Sequence, residues 1–549
     1  MRILKKQICL LACLSFTLIN AGENFYNKSN KTKINLVSSN VHVTTLDFSF
    51  DDYQLEEVLI EDELYHKVSI DGGTQLLSKG NPHIPKISTS IMIPDFSNMK
   101  IEIIYSEYVD VNNVNIAPSK GNITRDVDPS TISYEFNDSY TKNTFYPNEI
   151  ASMGDPYILR ELRGQSINVF PLQYNPFSKT LRFYKEITVR ISEDINNSLQ
   201  RNVLQRNLEN TKVTKEFDFI YNNLFINYNS NTRFDYLDDQ GSMLVICYDD
   251  FIDEMQPFVN WKNRKGIETE IIGSNQFTSV DDMKDYISLY YSENNLTYLL
   301  LVGDVAQIPT PIINGAASDP SFGFIDGDDS FAEVIVGRFS ANNPTELQTQ
   351  IDRTLNYEQN PSSVSHFNSA LGIGSNQGPG YGGLTDAEFN DLLWNDFLSE
   401  FTYNDFEGIY DPSGSVTQGI EAINDGVGVI NYTGHAGSSG WGNGAALNND
   451  NVHELENTDK LPFIFTVGCN PGEFNNFGEC FCEAWMRATD SNGEPTGSIA
   501  HLGSTISQSW EPPMHGQWAM NSILTESYED NISRSFGGIV VNGCLHMNE

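Results

Sequence analysis

An α/β fold with a mostly parallel sheet, set behind a β-rich region, is predicted by three observations. From residue 243 onward short apolar strands alternate with helical periodicities. Leu299–Val302 is apolar throughout, as suits a strand buried on both faces. From about 40 to 195 the pattern is instead short alternating segments broken by turns, such as Ile101–Tyr105 and Thr180–Ile191, with few long helical stretches.

The elements follow in order. Met243–Tyr248 is a short strand, and Asp253–Lys265 is helical until Gly266 stops it. Thr269–Ile272 is the next strand. Ser279 then opens a helix with Asp282 at the capping-box position. After Leu299–Val302 come Val334–Val336 and a helix with Asn343 as cap and Pro344 at its first position. Strands expected at 369–374, 427–432, 462–467 and 498–502 alternate with helices at 385–400, 415–424, 478–488 and 514–528. That alternation implies a mostly parallel sheet covered on both faces. Between the two regions, Asn196–Thr214 and then Tyr221 to Arg233 are polar and Asn-rich, which reads as a linker or processing region. No internal repeat of fixed period is present.

The chain has 549 residues, enough for three or four domain-sized units. Charged residues are 19% and apolar ones 39%, so there is material for cores and no signature of disorder. Asp plus Glu number 73 against 33 Lys plus Arg, a net charge of −40. This argues against binding nucleic acid or an anionic membrane and makes oxygen-ligated cations and basic peptides plausible partners. Residues 1–21 carry Arg2, Lys5 and Lys6, an apolar run from Ile8 to Leu18, and small residues at Ala21-Gly22. This reads as a secretory signal peptide; an anchoring helix is the alternative, but the run is shorter than the roughly 20 residues a span needs. Cleavage would move the charge to −43 and leave Cys247, Cys469, Cys480, Cys482 and Cys544 of seven cysteines. An odd number leaves at least one thiol without an intramolecular partner.

In such a sheet, reactive groups collect beyond the carboxyl ends of strands. Val427–Tyr432 runs into Thr433-Gly434-His435-Ala436, and Leu461–Val467 runs into Gly468-Cys469-Asn470. A thiolate and an imidazole delivered side by side suit acyl transfer: one attacks a carbonyl, the other protonates the departing amine, and nearby backbone amides hold the oxyanion. Taken singly, Cys469 reads rather as a small buried hydrophobe and His435 as a hydrogen-bonded loop residue; together at two strand ends they favour the chemistry. Zinc is disfavoured although Cys480 and Cys482 are near, because no paired Cys/His cluster accompanies them.

Asn431-Tyr-Thr-Gly-His435, Leu461-Pro-Phe-Ile-Phe, Gly468-Cys469, Cys480-Phe, Glu483-Ala484, Met486-Arg-Ala488 and Ser504-Thr-Ile-Ser-Gln-Ser-Trp510 closely resemble the gingipain family of secreted cysteine peptidases. Trp261-Lys-Asn, Leu300-Leu-Val-Gly-Asp304, Val336-Gly-Arg-Phe-Ser340 and Thr349–Thr354 extend the resemblance over about 234–546. It implies a caspase-like catalytic domain of two side-by-side α/β subdomains, here 234–368 and 369–549. Cys469 would be nucleophile, His435 general acid, and the N–H groups of Cys469 and Ala436 the oxyanion donors. The family has His-Gly where this chain has His435-Ala436, and Gln377 stands where arginine-specific relatives place an acid that assists the histidine. Asp386 matches the aspartate that closes the primary pocket of those relatives, and Trp510 and Met514 match its apolar walls, which implies cleavage after Arg or Lys. Thr385-Asp386 also reads as a simple helix start.

The resemblance also implies structural Ca2+. Asp304, Asp329 and Glu333 match side-chain ligands, and Asp326 and Phe331 match carbonyl ligands, while Leu384 and Phe389 fall where two further ligands would be. An acidic turn holding no ion is the other reading of 326–333. Gly80–Pro85, Ile158–Gln165, Pro171–Pro176 and Lys179–Tyr184 resemble the family's inhibitory prodomain, so 22–233 is expected to be a β-rich prodomain and linker; a separate adhesion module is the alternative. Arg233-Phe234 matches the prodomain cut. The implied protein is a secreted zymogen acting on protein or peptide substrates, on the outside of a bacterium, exported by a type IX route. Its runner-up is a catalytically impaired surface binding protein, with Ala436 and Gln377 as the signs. The resemblance further implies that the catalytic domain continues beyond Glu549.

Overall fold

The computed structural model describes residues 31–194, 201–205, 213–228, 240–361, 365–475, 478–529 and 535–548. The signal segment and the Arg233-Phe234 bond lie outside the described residues.

The front domain is built from antiparallel strands. Thr32–Ser39, Val43–Phe50, Thr180–Glu193 and Leu172–Asn175 lie in that order in one sheet, with Met99–Asn112 paired along Thr180–Glu193. Thr74–Gln75, Pro85–Met92, Leu162–Val169 and Ala151–Leu159 form a second. Period-two alternation sends Phe48, Ile87, Ile167, Val189 and Ile191 inward into one core. A separate hairpin, Gln54–Ile60 with Glu63–Ser69, projects toward the rear domain.

The rear domain holds two parallel sheets. The first has the order Glu268–Gly273, Ser242–Cys247, Leu296–Val302, Ile335–Phe339. The second begins at Ser369 and has the order Asp405–Tyr410, Ser369–Gly374, Val429–Thr433, Phe463–Val467, Ala500–Leu502. Ser279 caps its helix through the Asp282 N–H, and Asn343 caps the helix that Pro344 opens. Buried polar contacts join the two units. Arg353 donates to the carbonyls of Trp485 and Ala488, and Arg487 reaches Asp304, Ser340 and Glu483.

Several elements depart from the sequence expectation, among them the helix Phe536–Asn548. Between the two stretches read as linker, and running into the second, lies the helix Lys215–Leu224, whose Phe217, Ile220, Tyr221 and Leu224 are buried. Their spacing is that of one helical face, hidden among Asn and Asp. That face packs against Tyr157 of the front domain and Ile335 and Leu545 of the rear domain. The edge strand Asp405–Tyr410 was also not expected; only Ile409 of its six residues is fully buried, so its sequence carries little apolar signal.

Candidate active site

The strands Val429–Thr433 and Phe463–Val467 are parallel neighbours, with Thr433 opposite Val467. His435 and Cys469 each stand two residues beyond that matched pair, so the register brings imidazole and thiol out of the sheet side by side. A Cβ on Gly468 would come within 2.7 Å of the Ala436 side chain; only glycine lets the two strand ends approach this closely.

The His435 loop is tied down from several sides. Its N–H donates to Asn443 Oδ1 at 2.7 Å, and its carbonyl accepts from Gly442 N–H and from the Tyr432 hydroxyl. Asn443 in turn donates to Asp411 Oδ2 at 2.7 Å, and Gly444 N–H donates to Asp411 Oδ1 at 2.8 Å. The ring nitrogen Nε2 lies 2.9 Å from Gln377 Oε1. The ring meets Trp510 edge to face at 5.6 Å. Gln377 thus lies within hydrogen-bond reach of the imidazole. Asn443 and Asp411 were not singled out in the sequence, since an Asn and an Asp in loops carry no signal of their own.

Ala436 fits without strain. It is absent from the residues with positive φ, so the methyl group that replaces the family's glycine meets no left-handed backbone. The hairpin pairs Ala436 with Trp441, and the Gly442 to His435 hydrogen bond marks the adjacent pair as the bonded one. Alternation makes Ala436 and Trp441 a non-bonded pair. Trp441 accordingly donates to Leu447 O instead, and the Ala436 N–H is left out of the ladder.

Cys469 is 3% exposed. Burial pushes its thiol above the ordinary range, with Asp126 adding to the shift and a contact to the Gln508 carbonyl opposing it. Gln508 also accepts the Gly468 N–H through Oε1 at 2.8 Å, which anchors the turn carrying the thiol.

Beside these groups lies a filled pocket. Asp386 is fully buried, and Arg125 of the front domain reaches it with two hydrogen bonds of 3.1 and 3.0 Å. The guanidinium lies over the Trp510 ring at 4.7 Å and also donates to the Trp510 carbonyl. Ser375 Oγ donates to Asp386 Oδ2 at 2.5 Å. The helix start is capped by Thr385 and Glu388, so the Asp386 carboxylate is not consumed as a cap. Met514 sits behind Gly380, its sulfur accepting the Tyr381 N–H, in a cluster with Phe389 and Val467.

The segment carrying Arg125 binds as a strand. Thr124 bridges Ser509 antiparallel, Arg125 N–H donates to Gln508 O at 2.7 Å, and Trp510 N–H donates to Ile123 O at 3.0 Å. Directly after Arg125 the chain turns back: Val127 N–H donates to Thr124 O, and Val127 O accepts from Trp510 Nε1. Arg125 has no sequence signature, because its partner lies 261 residues away.

The expected metal residues separate. Asp304 is engaged by Arg487 at 2.9 Å, Asn342 at 2.8 Å and Val305 N–H. Asp326, Asp329 and Glu333 remain together in one loop, and burial raises the pKa of all three. Glu333 Oε2 accepts from Ile325 and Asp326 N–H, while its buried Oε1 has no hydrogen-bond partner. Asp329 Oδ2 accepts from Ile158 N–H and Asn202 of the front domain. Phe331 stacks on Tyr157 at 3.5 Å. Among the described residues no three His, Cys, Asp or Glu side chains converge as a metal cluster.

A family model for peptidase family C25 matches residues 236–549, and one for the C25 propeptide matches residues 25–232. The chain belongs to peptidase family C25. Gingipain R1 of Porphyromonas gingivalis is 38% identical over 525 residues, covering 94% of this chain and 52% of that protein. Gingipain R2 of the same species is 36% identical over 553 residues, covering 98% and 74%. The crystal structure of the Arg-specific cysteine proteinase gingipain R superposes with a TM-score of 0.54 at 38% identity, covering 56% of this chain and 73% of that one. A complex of gingipain pro- and mature domains gives the same TM-score and identity. The C25 chain therefore has the caspase-like arrangement of two α/β units behind a β-rich propeptide, and it spans about half the length of Gingipain R1.

Proposed function

We propose that this C25 chain is the zymogen of an arginine-directed cysteine endopeptidase. The reading rests on one observation: a strand-bound arginine of the propeptide reaches the buried Asp386 carboxylate beside Cys469 and His435.

A substrate following the same ladder would lay its arginine over Trp510 and onto Asp386, which fixes the next carbonyl near the Cys469 thiol. The Cys469 thiolate attacks that carbon, and the negative charge moving onto oxygen is met by the N–H groups of Cys469 and Ala436. His435, oriented by Gln377, gives a proton to the departing amine as the C–N bond breaks. Water then releases the acyl group and restores the thiol. The bidentate fork favours Arg over Lys, whose single ammonium cannot match both Asp386 oxygens.

The propeptide occupies this ladder up to Arg125 and then folds back in the Thr124–Val127 turn, so no extended chain continues past the arginine. This explains how it blocks the site without being consumed. Arg233-Phe234 is the proposed cut, and export to the outside of the cell, by a type IX route, suits a chain whose first 21 residues read as a signal. Calcium is proposed at the loop 326–333 without Asp304. Asp329 and Glu333 would supply side-chain oxygens and Asp326 and Phe331 carbonyls; the orphaned Glu333 Oε1 supports this.

The test uses the chain cut at residue 233 and freed of its propeptide. Arg peptides should be cleaved with Lys peptides far behind, and an irreversible thiol reagent should label Cys469 with matching loss of activity. Cleavage without discrimination for Arg, or labelling elsewhere, defeats the reading.

A further inference from the structure

The propeptide strand fixes a register that extends beyond the arginine pocket. Thr124 faces Ser509 and Ile123 faces Trp510. Asn122 and Glu511 are the next residues along the two segments, each in a bend where the pairing ends. The two residues also line one cavity of about 250 Å³, together with Ile123, Pro379, Lys120 and Trp510.

The Glu511 carboxylate has weak partners. Oε1 accepts the Gln75 N–H at 3.3 Å, a contact that leaves with the propeptide, and lies 3.5 Å from His515 Nε2. Burial lowers the pKa of His515, with the Glu511 carboxylate opposing the shift. Among the described residues no Lys or Arg forms an ion pair with Glu511. Removal of the propeptide therefore uncovers an uncompensated negative charge on the wall of the substrate cleft.

We infer that Glu511 is a specificity-determining residue that selects Lys or Arg three residues upstream of the scissile arginine. The inference rests on the arginine-directed reading above and on the register of the propeptide strand. A lysine or arginine in the place of Asn122 would enter the cavity whose wall carries Glu511, with a side chain long enough to approach the carboxylate. The propeptide presents the neutral Asn122 at this position, and the proposed cut after Arg233 presents Ser230. Both internal sequences thus omit the favoured residue, so a substrate that carries it displaces the propeptide more readily than another copy of the same sequence would.

The test uses processed enzyme and peptides of the form Xaa-Ile-Thr-Arg with a reporter amine, where Xaa is Lys, Asn or Glu. Wild type is expected to rank them Lys, Asn, Glu in kcat/KM, with about a tenfold span between the extremes, and high salt should compress the span. Glu511→Gln should reduce the Lys-to-Glu ratio to near one. Equal cleavage of all three by wild type overturns this inference and leaves the arginine-directed reading intact. An unchanged ratio in Glu511→Gln overturns the assignment to Glu511. No cleavage of any of them overturns the underlying reading as well. Should Glu511→Gln fail to fold, the wild-type ranking and its salt dependence decide the matter alone.

Discussion

The guanidinium of Arg125 and the carboxylate of Asp386 form a two-pronged pair, 3.1 and 3.0 Å long, with both side chains shielded from water. It joins the propeptide to the site it covers, and on the proposed reading one carboxylate would serve both latency and specificity.

Arg125→Ala in the full chain should therefore relieve latency. Truncating one partner of a buried charge pair costs about 2–5 kcal/mol, much of it from the abandoned charge. Activity on an arginine peptide should appear before any processing, and the propeptide should bind roughly a hundredfold more weakly or worse. Activity that still waits for the cut would show that Arg125 is not the plug.

Asp386→Asn removes the charge while keeping shape. On processed enzyme, kcat/KM for arginine peptides should fall by about a hundredfold, corresponding to about 3 kcal/mol of charge-assisted bonding. The same substitution in the full chain should loosen the propeptide, because Arg125 would be left buried and uncompensated. Intact arginine selectivity in this variant would place the pocket elsewhere.

The pH dependence of thiol alkylation reports the state of the site. With the propeptide docked, burial raises the Cys469 pKa above the usual thiol range, so alkylation should climb only at high pH. A raised pKa means that docking is favoured while the thiol is protonated. That contribution is complete below the free thiol pKa and is lost as pH rises through the docked value. Removal of the propeptide should shift the alkylation midpoint downward; an unmoved midpoint would mean the propeptide does not desolvate Cys469.

Gln377→Ala should lower kcat by about tenfold with little effect on KM, since it frees the ring that delivers the proton without touching the arginine pocket. A rise in KM alone would assign Gln377 to substrate binding.

Calcium chelation should lower the thermal midpoint of the processed protein by about 5 °C, the stabilisation lost when a ligand at about a hundred times its dissociation constant is withdrawn. Glu333→Gln should remove the sensitivity to chelator. Equal midpoints with and without calcium in the wild type would leave 326–333 as an acidic turn.

What the sequence disclosed and what it withheld divide by distance along the chain. Cys469 and His435 were legible because each follows an apolar strand in its own local pattern. Asp386 and Gln377 were legible only through the family resemblance. Arg125 was not, since its role depends on a pairing across 261 positions, and nothing in Asn122–Val127 marks one arginine as special. The partner of Asp304 was hidden for the same reason. The resemblance offered it as a metal ligand, while the residue that reaches its carboxylate, Arg487, stands 183 residues away. The helix Lys215–Leu224 was obscured by its Asn and Asp neighbours, although its buried face keeps regular spacing.

That helix bears on what a cut at Arg233 accomplishes. Phe217, Ile220, Tyr221 and Leu224 precede the bond and share a cluster with Ile335 and Leu545, which follow it. Breaking the backbone there severs no contact in the cluster and none at Arg125. The product of the proposed cut would thus be a two-part complex held by ordinary affinity, and its activity would become a matter of concentration. Dilution into the surroundings, where the freed propeptide drifts away, would complete what proteolysis only begins.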